Sequence, residues 1–349
     1  MKLLVITQKV DQKDQLLGFF IDWLVLFAER FEEITVLCLE KGEFNLPENV
    51  KVISLGKEEN NFQFPIFKKI RYLLRFYKHI WHEKNDYDAV FAHMNPIWVV
   101  LGGCWWRMMK KRIFFWYTSG GVTAKLRLAE KFANVVFTAS LESFRLPSKK
   151  VIITGHGIDT ELFKPSDKKQ ATGNNVLKIL SVGRISPVKN YEILIEAAKI
   201  FKKTRKDFLV TIVGEAGLIE NGGYELRIKN KIKEHGLENN FYFTGKIEHK
   251  NLPRYYQSHD LFVHLSKTGS LDKTLLEAMA CGMNVLSSND AARSFLRKEM
   301  ILKEGDPKDL ADKIIGLQNK KYSEELRNYV LENHDLGRLI NKISKIMAN

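Results

Sequence analysis

The sequence predicts an α/β protein built from two parallel-sheet domains, and three observations carry that prediction. Short apolar runs alternate with stretches of helical spacing along the whole chain. The runs are apolar on both faces, as strands covered by helices on each side must be. The alternation stops in a polar stretch, Lys164 to Asn175, and then restarts. The 349 residues also exceed what one hydrophobic core serves, since single cores stop growing near about 250–300 residues.

In order, LLVIT (3–7), EITVLCL (33–39), YDAVFAH (87–93), RIFFWYT (112–118), NVVFTA (134–139) and KVIITG (150–155) read as strands. Residues 16–30 and 64–82 carry apolar positions at helical spacing between them. Beyond the polar stretch, LKILSVG (177–183), FLVTIVG (208–214), NFYFTG (240–245), LFVHLS (261–266) and NVLSS (284–288) repeat the pattern. Residues 322–349 read as helix with no strand after it. The expected division is a first domain over 1–165, a second over 166–330, and a closing helical segment, 331–349, that packs back on the first. GHGIDTELFKPSD (155–167), with its Gly, Asp and Pro residues, is the expected hinge.

The composition, 45% hydrophobic and 11% aromatic, fills two cores and excludes a disordered chain. Cys38, Cys104 and Cys281 stand far apart with no CxxC spacing, which argues for a reducing compartment and against structural zinc. MKLLVITQ is too short an apolar run for a signal peptide, and no run reaches the roughly 20 apolar residues of a membrane span. A cytoplasmic protein is expected. Its formal net charge of +14 favours anionic partners: phosphorylated substrates, an anionic membrane face or nucleic acid. No nucleic-acid motif accompanies the charge, so a nucleic-acid binder would rest on charge alone.

Two segments of the second domain carry chemistry. In VGRISPVKNYEILIEAAKIF (182–201) a strand ends, Gly183 permits a turn, Ser186-Pro187 suit a helix start, and Ile193, Leu194, Ala197, Ala198 and Phe201 form the buried stripe. Arg184 and Lys189 flank this turn, where the carboxyl ends of parallel strands bind ligands. A phosphate or diphosphate is their natural target, a solvated basic turn the plainer alternative. Further on, KTGSLD (267–272) leads into a short helix over Lys273–Ala280, closed by Cys281 and Gly282. Backbone N–H groups near Lys273, Thr274 and Leu275 make an anion site. Glu277, one turn inside, is placed to accept from a ribose diol; the alternative is a carboxylate satisfied by a local lysine.

The motif GR-x4-KN followed by an amphipathic helix, then LLEAMACGMNV about 80 residues later, resembles glycosyltransferase family 4 (glycosyl transferases group 1), retaining enzymes of the GT-B fold. The linker GHGIDTELFKP and the stretch FTGKIEHKNLPRYYQSHDLFVHLS (243–266) share the resemblance, which covers essentially the whole chain. It implies two Rossmann-like parallel-sheet domains facing an interdomain cleft, the first receiving the acceptor and the second a nucleotide sugar. By the same likeness Arg184 and Lys189 neutralise the donor diphosphate and Glu277 binds the ribose. Gly18 lets backbone approach the donor, Lys246 and Ile247 line the base, and Asp159 is a hinge or structural residue.

Two positions depart from the family. Gly269 stands where the E-x7-E pattern has its first glutamate, with Asp272 near enough to substitute. In WYTSGG (116–121), Ser119 holds the place of a donor-contacting histidine, and His93 is a second candidate polar group. What the resemblance implies is transfer of a sugar from a nucleotide donor to a hydroxyl, on a glycan or a lipid-linked acceptor, with retention. No DxD-type pair stands in a suitable loop, so no obligatory metal is expected. The departures keep a catalytically degenerate carbohydrate- or membrane-binding relative open, alongside a nucleotide-sugar 2-epimerase-like enzyme. In FPIFKKIRYLLRFYKHIWHE (64–83), Ile66, Ile70, Leu73, Tyr77, Ile80 and Trp81 mark an apolar face among cations. This helix either rests on an anionic membrane or turns that face to the sheet. CWWRMMKKRIFFWY (104–117) is a second basic-aromatic run.

Overall fold

The computed structural model describes every residue except 15, 60–64, 167–175, 217–222, 267–268 and 318–322. Most of the polar stretch 164–175 and the first two residues of the 267–272 loop therefore lie outside the described residues. The chain forms two compact units, one of residues 1–157 with 336–349, the other of residues 158–335.

The first unit runs β1 (Leu3–Val10), α1 (Phe20–Ala28), β2 (Ile34–Lys41), β3 (Val50–Ser54), α2 (Pro65–His82), β4 (Ala89–His93), α3 (Pro96–Met108), β5 (Arg112–Trp116), α4 (Ala124–Phe132), β6 (Val135–Thr138) and β7 (Val151–Ile153). Its parallel sheet has the order β3-β2-β1-β4-β5-β6-β7. Alternation along β1 divides the side chains between two cores. Leu3 and Val5 join α1 on one face, whereas Leu4 and Ile6 join Phe76, Trp98 and Leu126 on the other. Local chemistry sets the helix starts: Asn95 accepts from Ile97 N–H at 3.1 Å with Pro96 at the first position, and Thr123 caps α4.

The second unit runs β8 (Leu177–Val182), α5 (Tyr191–Phe201), β9 (Phe208–Val213), α6 (Gly223–Glu234), β10 (Phe241–Phe243), α7 (Pro253–Ser258), β11 (Leu261–His264), α8 (Lys273–Ala280), β12 (Asn284–Ser287), α9 (Pro307–Leu317) and α10 (Glu324–Asn333). The sheet order is β10-β9-β8-β11-β12, again parallel. Ile179, Val210 and Val263 face α5 and α9, whereas Leu180, Phe262 and Val285 face α7 and α8.

Four details differ from the sequence reading. β3 pairs with β2 at the sheet edge, and its half-buried VKVIS carries too little apolar signal to stand out. Ser186-Pro187 open only a single 3-10 turn. Asn190 then turns left-handed (φ 52°), and α5 begins at Tyr191. The 322–349 segment is two helices. His334 and Asp335 break it, with Ile158 N–H donating to His334 O at 2.7 Å and Thr160 Oγ1 donating to Asp335 at 2.6 Å. The last helix, α11 (Leu336–Ala348), then sets Leu339, Ile340, Ile343 and Met347 into the first unit's core. Finally, α2 splits the stripe that the sequence left either outward or against the sheet: Phe76 and Ile80 turn inward, whereas Ile66, Ile70, Leu73 and Trp81 are exposed. No helix among the described residues is long and apolar enough to cross a membrane.

Candidate functional site at the carboxyl edge of the second sheet

β8 and β9 end in glycines whose backbone is left-handed, Gly183 (φ 146°) and Gly214 (φ 141°). A Cβ on Gly214 would lie 2.1 Å from Gly183 O, and one on Gly183 would lie 2.6 Å from Lys189 Cε. Only glycine lets the two turns pack this closely. The Lys189 side chain consequently lies over the end of β8.

Its ammonium donates to Asp272 Oδ2 at 2.6 Å, and both side chains are largely buried. Asp272 is the N-cap of α8: Oδ1 accepts from Thr274 N–H at 3.2 Å and from Thr274 Oγ1 at 3.1 Å. His264 Nε2 stands 3.1 Å from Asp272 Oδ2, and its Nδ1 lies 3.2 Å from Ser287 Oγ. Ser287 Oγ in turn accepts from Asn289 N–H. The network assigns the tautomer, with Nε2–H donating to Asp272 and Nδ1 accepting from the Ser287 hydroxyl. Burial works against the Asp272 anion, but Lys189 and His264 outweigh it and hold its carboxyl well below the usual range. Burial pushes His264 below its ordinary value in spite of Asp272, so the ring is neutral near pH 7.

Two expectations need correcting here. The Thr274 N–H is not open to a ligand, because the chain's own Asp272 occupies it. Asp272 is equally unfitted to replace the missing glutamate on a sugar, since its two oxygens already serve Thr274, Lys189 and His264. The missing glutamate has a conformational reason as well. Gly269 sits at φ 66°, where a glutamate would be strained.

Glu277 points into the core of the unit. It is 2% exposed; Oε1 accepts from His249 Nε2 at 3.0 Å and Oε2 from Tyr256 O–H at 2.9 Å. This pair, and not a lysine bridge, is what makes a carboxylate tolerable in an apolar helix. Burial would raise its pKa, yet the bond from His249 and the charge of Lys273 hold it below normal. Burial and the Glu277 charge together drive Tyr256 well above its usual range. Among the described residues Glu277 bonds to neither Arg184 nor Lys189, and with both oxygens held in the core it is not presented to a ribose as expected.

The remaining candidates divide by unit. Arg184 is exposed beside Gly183, and Lys246 is exposed just past β10, followed by half-buried Ile247. Leu275 is fully buried and serves the core, not a ligand. Asp159 caps the turn that enters the second unit, accepting from Glu161 and Leu162 N–H. Gly18 and Ser119 belong to the first unit. Gly18 is needed by the chain itself, because a Cβ there would meet Asp14 O at 2.5 Å. Lys9 pins the same loop through Asp11, Asp14 and Glu40. Ser119 is exposed after β5, whereas His93 is buried, stacked on Phe20 at 4.0 Å and 3.2 Å from Thr7 Oγ1. The structure thus brings Gly183, Lys189, Asp272 and Thr274 together and sends Glu277 into the core beneath α7. His249, Tyr256, His264 and Gly214 were missed. The signal for the first two was that a buried carboxylate needs donors, and HKNLPRYY supplies them nearby.

A family model described as glycosyl transferases group 1 matches residues 163–334, nearly all of the second unit. The chain carries a glycosyl transferases group 1 domain. An uncharacterized glycosyltransferase of Methanocaldococcus jannaschii is 27% identical over 59% of this chain, which spans 54% of that protein's length. A 2-deoxystreptamine N-acetyl-D-glucosaminyltransferase of Niallia circulans is 27% identical over 70% of this chain and 71% of its own. Among solved structures, HepE of Anabaena in complex with UDP and glucose superposes with a TM-score of 0.78 at 18% identity, covering 100% of both chains. The fold is therefore GT-B, two Rossmann-like parallel-sheet units in one chain.

Proposed function

We propose that this protein is a retaining glycosyltransferase that moves a hexosyl group from a nucleotide-diphosphate sugar to a hydroxyl acceptor on a glycan or lipid-linked molecule. One observation carries the reading: a lysine ammonium fixed over the Gly183 turn at the carboxyl edge of a parallel sheet. Asp272 takes one of its three donors, and Arg184, the residue after Gly183, is exposed. The two cations bind the donor diphosphate. As the bond from the anomeric carbon to the phosphate oxygen breaks, they stabilise the extra negative charge, each contact contributing about 3 kcal/mol. The acceptor oxygen bonds to the anomeric carbon on the face the phosphate leaves, and its proton passes to the departing phosphate. No obligatory metal enters this scheme, since Arg184 and Lys189 carry the charge. The nucleotide occupies the edge near Lys246 and Ile247, with Lys273 on the ribose side, while Glu277 supports α8 from within the core. The first unit serves the acceptor.

The HepE complex, which holds UDP and glucose, makes UDP-glucose the first donor to try. In a thermal-shift screen of UDP-, GDP- and ADP-sugars, a donor at 100 times its Kd should add about 2.7 kcal/mol to stability, raising Tm by roughly 5–10 °C. Lys189→Ala should lose most of that rise. A wild-type Tm unmoved by every nucleotide sugar ends the proposal. A shift without product in the presence of acceptors favours a degenerate, binding-only relative, the reading that Gly269 and Ser119 keep in view.

A further inference from the structure

The helix α2 turns an apolar face outward. Phe76 and Ile80 are buried against the sheet, whereas Ile66, Ile70, Leu74 (66% exposed) and Trp81 project into solvent along one side. The end of α3 extends this surface with Trp105 and Met108, and the Trp81 and Trp105 rings meet edge to face at 5.8 Å. Such a contiguous apolar patch marks an interaction site.

Charge names the partner. From Pro65 to His82 the helix has no acidic residue. Arg71 and Arg75 are paired with Glu59, but Lys69 and Lys78 carry no ion pair among the described residues, and Lys84 lies 4.1 Å over the Trp81 ring. Lys110 extends the basic rim past α3. Lysines around exposed aliphatic side chains, with tryptophans at the border, match a bilayer surface: acyl chains for the apolar strip, lipid phosphates for the cations, an interfacial depth for the indoles. A protein partner of the same shape would need a strongly acidic rim to match these lysines. Leu73 and Lys69 also line a cavity of about 370 Å³ with Gln8 and Asn95, at the carboxyl ends of β1 and β4. The strip therefore adjoins the edge of the first sheet where ligands of such folds bind.

We infer that the outward face of α2, with the end of α3, docks the protein on an anionic lipid bilayer. The inference does not depend on the donor reading, because it concerns a different unit and a different ligand.

The test is sedimentation of the full-length protein with vesicles of phosphatidylcholine alone or with one-third phosphatidylglycerol. Binding should appear with the anionic vesicles only. Lys69→Glu and Lys78→Glu should each weaken it about five-fold or more, and added salt should do the same. Ile70→Glu and Leu74→Glu, both at exposed positions, should abolish binding while leaving the melting curve and any donor-induced shift unchanged. Absence of wild-type binding overturns the inference, as does undiminished binding by Leu74→Glu. So does a dimer in ultracentrifugation that Leu74→Glu dissociates, because the strip would then belong to a second copy.

Discussion

Tyr256→Phe tests the reason a carboxylate survives in α8. The substitution removes one hydroxyl and leaves Glu277 Oε2, 2.9 Å away, without its donor in a site only 2% exposed. A hydrogen bond to a charged group contributes about 1.5–3 kcal/mol, and the ring itself stays packed against Phe163 and Phe262. For a unit of this size each kcal/mol moves Tm by roughly 2–4 °C, so the unfolding transition of the second unit should fall by about 3–12 °C. In a Glu277→Gln background the same change removes only a neutral bond and should cost about 1 kcal/mol, which gives a measurable coupling in the double-mutant cycle. The sign with pH follows from the depressed pKa of Glu277. Its stabilisation is complete above the unfolded value of about 4.3 and disappears as pH falls through the lower folded value. The Tyr256→Phe penalty measured by denaturant titration should therefore narrow below about pH 4. A Tm shift under about 1 °C, or an equal penalty in the Glu277→Gln background, refutes the assignment.

Two further outcomes follow from the same edge of the sheet. Gly214→Ala, whose Cβ would press to 2.1 Å on the Gly183 carbonyl at a left-handed φ, should destabilise the unit by about 2 kcal/mol or more and abolish any donor-induced shift; both are read by thermal unfolding. Asp272→Asn keeps a cap for Thr274 but deprives Lys189 of its anion, so stability at pH 7 should fall by about 1–3 kcal/mol. Because the Asp272 carboxyl is held well below its usual range, the wild type loses this contribution only as pH falls below about 3.9, and the variant's acid limb should be correspondingly flatter.

Much of this architecture is legible in the sequence. Strands apolar on both faces announce parallel sheets, and β8, β9, β11 and β12 fall where their runs stand, as does α8. The places that escaped share a physical cause. Edge strand β3 buries one face only, so its pattern is weak. The start of α5 depends on a left-handed Asn190, which no periodicity encodes. The orientation of α2 could not be read because its sequence is apolar on more than one side, and only the packing of Phe76 shows which side the sheet takes. At the site, Gly183, Lys189 and Asp272 were visible as residue types at the end of a strand. The partnership of Glu277 with His249 and Tyr256 was not, because it joins three positions through the fold and not through spacing.

The chain leaves the first unit after Gly157 and re-enters it at Leu336, which makes residues 158–335 an insertion within an interrupted host. On the ribosome this reverses the usual sequence of maturation. The inserted unit has all its residues once Asp335 has emerged, while the earlier-made host still lacks Leu339, Ile340, Ile343 and Met347 for its core. Of the two units, the one begun earlier is thus completed later, and a chaperone or protease would meet it with that apolar seat still open.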